Sequence, residues 1–177
     1  MQPPAMSIGS QLCTSCGLCC TGALHDIAAL DEDEVAAAQA VGLEIVEAAG
    51  RFDFALPCPR LEGTRCGIYP DRPRVCGRYR CKLLSDVEDG KLASVAALEV
   101  VATAREAGER ALSHLPSGET LASSRRRLLK EVPELPSVAR LHLTALLAYL
   151  DRHFRSASDG RLLGTQSVTS TGHGGTE

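Results

Sequence analysis

The sequence predicts a mostly α protein in which a small, irregular, cysteine-rich N-terminal half packs with a C-terminal helical segment. Three observations predict it. All eight cysteines fall early in the chain, at Cys13, Cys16, Cys19, Cys20, Cys58, Cys66, Cys76 and Cys81, and none follows. Beyond residue 86, Ala, Leu and Val recur at helical spacing. Leu, Ile, Val and Phe number 42 of 177 residues, which supports a core, though a modest one. The expected organisation is a flexible N-terminus over 1–9, a cysteine-cluster unit over 10–85, a helical segment over 86–155 and a disordered tail over 156–177. In that tail thirteen of 22 residues are Ser, Thr or Gly.

Taken in order, Cys13, Cys16 and Cys19 stand successively three apart, and Cys20 completes an i, i+3, i+7 set with Cys13 and Cys16. On a helical turn either triplet shares a face. Gly17 permits the left-handed backbone that such a turn needs. Asp31 is placed to cap a helix, with acidic residues 32–34 at its positive end and Gly42 as its stop. The stretch from Asp26 to Glu47 holds seven acidic residues and no Lys or Arg, and reads as a solvated face. Residues 51–70 read as short strands and turns: Phe52, Phe54 and Leu56 alternate, and Gly63 and Gly67 punctuate the run. Asp71 and Pro73 then open a short helix through Leu84. Helices are expected over Lys91 to about His114, Leu121 to Lys130 and Ser137 to about Arg155, separated by Pro116, Pro133 and Pro136.

Composition narrows the function classes. Net charge is −3, with three Phe, three Tyr and no Trp, so neither a general phosphate-backbone surface nor an aromatic platform for bases is present, and no nucleic-acid partner is expected. The most apolar run, Leu141 to Leu150, is half the ~20 residues a membrane span needs. The start, M-Q-P-P-A-M-S-I-G-S, has no basic opening and no apolar stretch. A cytoplasmic location follows as an expectation, and there thiols stay reduced. No glycine-rich phosphate loop and no G-x-S-x-G elbow occurs.

Eight reduced thiols in a small protein invite oxidation unless something occupies them. Metal ligation explains both their number and their clustering, and all eight are the candidate ligands. A CxxC pair turns two thiolates toward one ion. Adjacent Cys19 and Cys20 point in different directions, which hints at a cluster or at two centres. The later group lacks any CxxC pair, so the two-knuckle zinc pattern is absent. Iron–sulfur clusters tolerate such spacing, although the fourth ligand and proline of the bacterial ferredoxin run are missing after Cys19. An iron–sulfur cluster is therefore expected, with Zn2+ or mononuclear iron as the alternative. From Arg60 to Lys82 there are seven basic and two acidic residues, and these guanidinium groups are expected to offset the thiolate charge and hold the thiols deprotonated.

Other candidates read more plainly. His25, five residues after Cys20, reads as a surface or satisfied histidine rather than a ligand. His114, His142 and His153 read as helix-face residues, and Arg125, Arg126 and Arg127 as a solvated face. Tyr69 and Tyr79 flank cysteines and are expected to shield them from water.

The segments C-T-S-C-G-L-C-C, P-C-P-R-L and C-G-I-Y-P-D-R-P-R-V-C-G-R-Y-R-C together resemble the YkgJ-type CxxCxxCC cysteine-cluster family, over roughly residues 10–85. The resemblance implies a zinc- or iron-chelating domain. Related cysteine segments occur in flagellin lysine methylases, which the resemblance links to iron–sulfur chemistry. The family commonly has Arg directly after the cysteine at position 76; here Gly77 stands before Arg78. The resulting expectation is an iron–sulfur or iron centre supporting redox or protein-modifying group-transfer chemistry. The alternatives are a structural zinc module that mediates a partner interaction and a zinc or iron carrier. Any protein partner would meet the helical half; no membrane is expected.

Overall fold

A computed structural model describes residues 7–130, 135–156, 159 and 162. The expected flexible N-terminus lies outside these residues apart from 7–9, and the expected tail does so apart from Ser156, Asp159 and Leu162.

Helix α1 (Ile8–Cys16) begins where Ser7 Oγ accepts from the Ser10 amide at 3.1 Å. It ends at Gly17, whose φ of +67° and amide bond to Cys13 O form a left-handed cap. A side chain at Gly17 would also lie 3.1 Å from the Thr64 backbone. Two constraints, one torsional and one steric, therefore require glycine at the point where the chain turns from Cys16 to Cys19.

Strand β1 (Ile27–Leu30) leads through a 3-10 turn (Glu32–Glu34) into helix α2 (Val35–Ala40). Strands β2 (Ile45–Ala48) and β3 (Arg51–Ala55) follow. The sheet order is β1-β3-β2, antiparallel throughout, with Leu30 opposite Phe52 and Ile45 opposite Phe54. Ala49 and Gly50, both at positive φ, make the tight turn between β2 and β3. A second hairpin pairs β4 (Leu61–Glu62) with β5 (Arg65–Cys66).

The alternation of Phe52 and Phe54 marks β3 in the sequence. Strands β1 and β2 carry no such signal, because they lie against β3 with most of their side chains outside the core. The acidic stretch is also more than a solvated face: Asp31, Asp33 and Glu34 converge on Arg74, at 2.8, 2.5 and 3.5 Å.

The single helix expected from Asp71 to Leu84 is two, α3 (Arg74–Arg78) and α4 (Lys82–Glu88). Tyr79 adopts extended ψ of 131° and breaks the run, which leaves Cys81 as the N-cap of α4. The later helices are α5 (Ser94–Leu112), α6 (Leu121–Leu129) and α7 (Ser137–His153), close to their expected limits. On α6, Thr120 and Ser123 form a reciprocal capping box. Helix α5 buries small residues (Ala97, Ala104, Gly108, Ala111), and these let Leu143, Leu146, Leu147 and Leu150 of α7 pack closely against it. Mostly α, with a cysteine-rich irregular half packed on helices, describes the molecule.

Two apolar cores result. One is helical and gathers Leu12, Leu24, Leu83, Leu84, Val101, Phe154 and the α7 leucines. The other lies under the sheet and gathers Leu30, Ala38, Leu43, Phe54, Leu56 and Ile68. Among the described residues no helix is long and apolar enough to cross a membrane.

Candidate metal centre

All eight cysteines are free thiols, and all eight line one cavity of about 330 Å³ at the seam between the two cores. Leu12, Leu83, Val101 and Phe154 wall it on the helical side, and Phe54, Leu56 and Ile68 on the sheet side. No Asp or Glu is among its lining residues.

Each cysteine is placed by a recognisable local device. Helix α1 carries Cys13 and Cys16. Past Gly17, bonds from Thr21 N to Gly17 O and from Gly22 N to Cys19 O close the turn that holds Cys19 and Cys20. The Cys58 amide donates to Cys20 O at 2.8 Å and joins the two stretches of chain. Cys66 ends the β4–β5 hairpin, opposite Leu61. Cys76 sits in α3. Cys81 caps α4, its sulfur accepting from Leu84 N at 3.4 Å. Tyr69 Oη donates to Ser10 Oγ at 2.9 Å and lies beneath the Arg72 guanidinium, 3.9 Å from the ring centre. The second cysteine stretch is thereby fastened to the first.

The thiols fall into two quartets. Cys16 and Cys19 feel the charges of Cys13 and Cys81, and Cys81 that of Cys13. Cys20 feels Cys58, Cys76 and Cys66, in that order, and Cys76 feels Cys58 and Cys66. One quartet is therefore Cys13, Cys16, Cys19 and Cys81, and the other is Cys20, Cys58, Cys66 and Cys76. The packing agrees: Cys16, Cys19 and Cys81 lie against the helical core, Cys58 and Cys66 against the sheet core. Between the quartets, besides the neighbours Cys19 and Cys20, Cys16 has a weaker effect on Cys20. Among the described residues no three Cys, His, Asp or Glu side chains already converge on the position of a single ion. The thiols ring a space rather than a point.

Burial dominates their acidity. It pushes Cys16 and Cys20 up to about 12 and Cys76 to about 11, and raises Cys13, Cys19, Cys58 and Cys81 as well. The arginines act in the expected direction but do not prevail. Arg72 and Arg80 pull Cys13 down, Arg60 pulls Cys58 and Arg72 pulls Cys76, each by less than burial raises it. Without metal, burial thus favours the neutral form at Cys13, Cys16, Cys19, Cys20, Cys58, Cys76 and Cys81, and the guanidiniums oppose it at Cys13, Cys16, Cys58 and Cys76. The backbone at Leu18, Arg60 and Leu84 favours the charged forms of Cys16, Cys58 and Cys81, the Leu84 amide donating to the Cys81 sulfur.

The helical half contributes residues that the cysteine pattern does not mark. Val101 and Phe154 wall the cavity, and Arg105 of α5 pulls Cys16 down. The apolar spacing that marks α5 in the sequence runs through Leu92, Val95, Leu98 and Ala102, yet Val95, Leu98 and Ala102 are exposed, so neither Val101 nor Phe154 is singled out by it. Tyr79 shields the site as expected, packed edge-on against His25 with ring centres 4.8 Å apart.

Residues 12–101 match the family model CxxCxxCC, described as a putative zinc- or iron-chelating domain. The chain belongs to this family. No curated protein and no solved structure matches it. Membership in the CxxCxxCC family makes this a metal-chelating protein of the zinc or iron kind. The match runs past the last cysteine into α5 and closes at Val101, the α5 residue that walls the cavity. The CxxCxxCC unit thus includes the first part of the helical segment.

Proposed function

We propose that the protein binds two iron–sulfur clusters, one on Cys13, Cys16, Cys19 and Cys81 and the other on Cys20, Cys58, Cys66 and Cys76, and that it serves redox or group-transfer chemistry. The observation that carries this reading is the 330 Å³ space ringed by two sets of four free thiols that do not converge on single-ion positions. The donor set fits the group. It is all sulfur with no carboxylate beside it, and soft thiolates select zinc or iron–sulfur over hard cations. When bound, such clusters supply one-electron transfer at potentials set by hydrogen bonds to sulfur and by exposure to solvent.

The chain's own residues supply those settings. The Leu84 amide donates to the Cys81 sulfur, the backbone at Leu18 and Arg60 favours the charged forms of Cys16 and Cys58, and Arg72, Arg80 and Arg105 offset thiolate charge. Val101, Phe54 and Phe154 keep water from the apolar walls. A second reading, two structural zinc ions, is favoured by one feature: each quartet is a complete set of four thiols, as closed structural zinc sites have. Anaerobic purification with iron, zinc and acid-labile sulfide analysis separates the two. A brown protein with sulfide in proportion to iron supports the clusters. A colourless protein with stoichiometric zinc after iron-replete expression overturns them.

A further inference from the structure

His25 has the thiol cavity on one side and a second, open pocket of about 450 Å³ on the other. Two cations line that pocket, Arg125 from α6 and Arg155 from just beyond α7, against one acid, Asp26. Arg125 is the unusual one. The triple-arginine run reads as a solvated face, yet the Arg125 side chain is only 6% exposed. Its Nη2 lies 2.6 Å from Asp26 Oδ1, but neither Nη2 nor Nε makes an aligned hydrogen bond. The same Asp26 oxygen also accepts from Arg126 at 3.1 Å, so one carboxylate oxygen, half open to solvent, serves two guanidiniums. The His25 Nε2 atom is likewise buried without a hydrogen-bond partner. Arg155, by contrast, is held by the Leu24 carbonyl at 2.6 Å and by the Asp159 carbonyl.

Buried polar atoms in folded proteins are nearly always hydrogen-bonded, and the guanidinium fork matches planar anions. Arg155 is ion-paired with Asp151 at 3.8 Å, which leaves Arg125, its Nε without a partner beside the equally unpartnered His25 Nε2, as the group with the chemistry of an anion site. The pocket rim is apolar: Ile27 and Leu129 stand there 48% and 42% exposed. We propose that this pocket binds a small organic anion, a carboxylate or phosphate carried on an apolar body, with the head on Arg125 and His25 and the body on Ile27 and Leu129. The ligand would lie one layer of side chains, His25 and Tyr79, from the thiols. The site stands whichever metal those thiols hold.

Calorimetric titration of the metal-loaded full chain tests it, with hexanoate and hexyl phosphate as probes and hexylamine as the cationic control. At least one anion should bind roughly tenfold or more tightly than hexylamine, and the tighter of the two identifies the head group. Arg125→Gln should weaken that anion by roughly tenfold while metal content stays unchanged. Leu129→Glu changes only the exposed rim and so leaves the fold intact; the like charge it adds should weaken the anion as well. Anions that bind the wild type no better than hexylamine would overturn the proposal. So would a Leu129→Glu protein that binds them as the wild type does.

Discussion

Cys19 and Cys20 are adjacent in the chain and feel different thiols: Cys19 feels Cys16, Cys81 and Cys13, while Cys20 feels Cys58, Cys76 and Cys66 most strongly. The peptide bond between them is the shortest covalent path from one set of thiols to the other. It also explains why two cysteines stand together where one ion could use only one of them. The early stretch does not form one site and the later stretch another. The early stretch gives three thiols to the first and one to the second, and the later stretch gives one and three. On the proposed assignment, neither half of the cysteine pattern completes a centre without the other.

The acidity of these thiols sets the pH behaviour of the metal-free protein. Cysteine ordinarily ionises near 9.0, whereas Cys16 and Cys20 are held at about 12 and Cys76 at about 11. Folded values above unfolded ones mean that the contribution is fully present below pH 9 and is lost as pH rises toward 11 to 12, where the unfolded chain releases its protons first. Urea midpoints of chelator-treated protein under reducing conditions should therefore fall between about pH 9 and pH 11. Metal uptake carries the opposite sign, because binding displaces thiol protons, and its affinity should rise with pH. Midpoints that stay level above pH 9 would contradict the buried, neutral thiols.

Gly17 is the hinge between Cys16 and Cys19. Gly17→Ala forces a side chain into φ of +67° and to 3.1 Å from the Thr64 backbone. It should cost about 1–3 kcal/mol in denaturant unfolding. Because the same turn sets Cys19 and Cys20, bound metal should also fall. Wild-type stability in this variant would remove the close approach to Thr64 from the account.

Ala49 gives the opposite case, a position where the sequence falls short of its backbone. It holds φ of +52° at the first position of the β2–β3 turn, where Asn is the favoured partner of a following Gly. Ala49→Asn should stabilise the protein by about 0.5–1 kcal/mol without changing metal content. A lower melting temperature would contradict the turn assignment.

Phe154 ties the helical half to the thiols, 1% exposed and on the cavity wall. Phe154→Ala should lower stability by about 3–5 kcal/mol and speed the loss of visible absorbance in air, since the wall then admits water and oxygen. Phe154→Leu keeps an apolar wall and should bleach more slowly than Phe154→Ala. Equal bleaching in both variants and the wild type would mean that this wall does not protect the site.

Much of this was legible from local chemistry. Helices α5, α6 and α7 follow from apolar spacing and proline breaks, Gly17 from the needs of a turn, and β3 from alternating aromatics. What stayed hidden depends on contacts distant in sequence. Strands β1 and β2 exist because β3 pairs with them, and their exposed side chains leave no alternation to read. The break at Tyr79 depends on one ψ angle that composition does not dictate. The eight cysteines are visible at a glance, but their division into quartets is not, since Cys81 is nearest in sequence to Cys76 and yet faces Cys13. The burial of Arg125 inside an arginine run is equally invisible until α6 is placed against Asp26.

Metal content across serine variants tests the quartet assignment most directly. Cys13→Ser and Cys81→Ser should each remove one centre's share of the metal, and the two combined should remove no more. Cys76→Ser should remove the other share, and Cys76→Ser combined with Cys81→Ser should leave the protein without metal. If the Cys76 and Cys81 variants instead deplete a common centre, so that their combination loses no more than either alone, the assignment of thiols to two interleaved quartets is wrong.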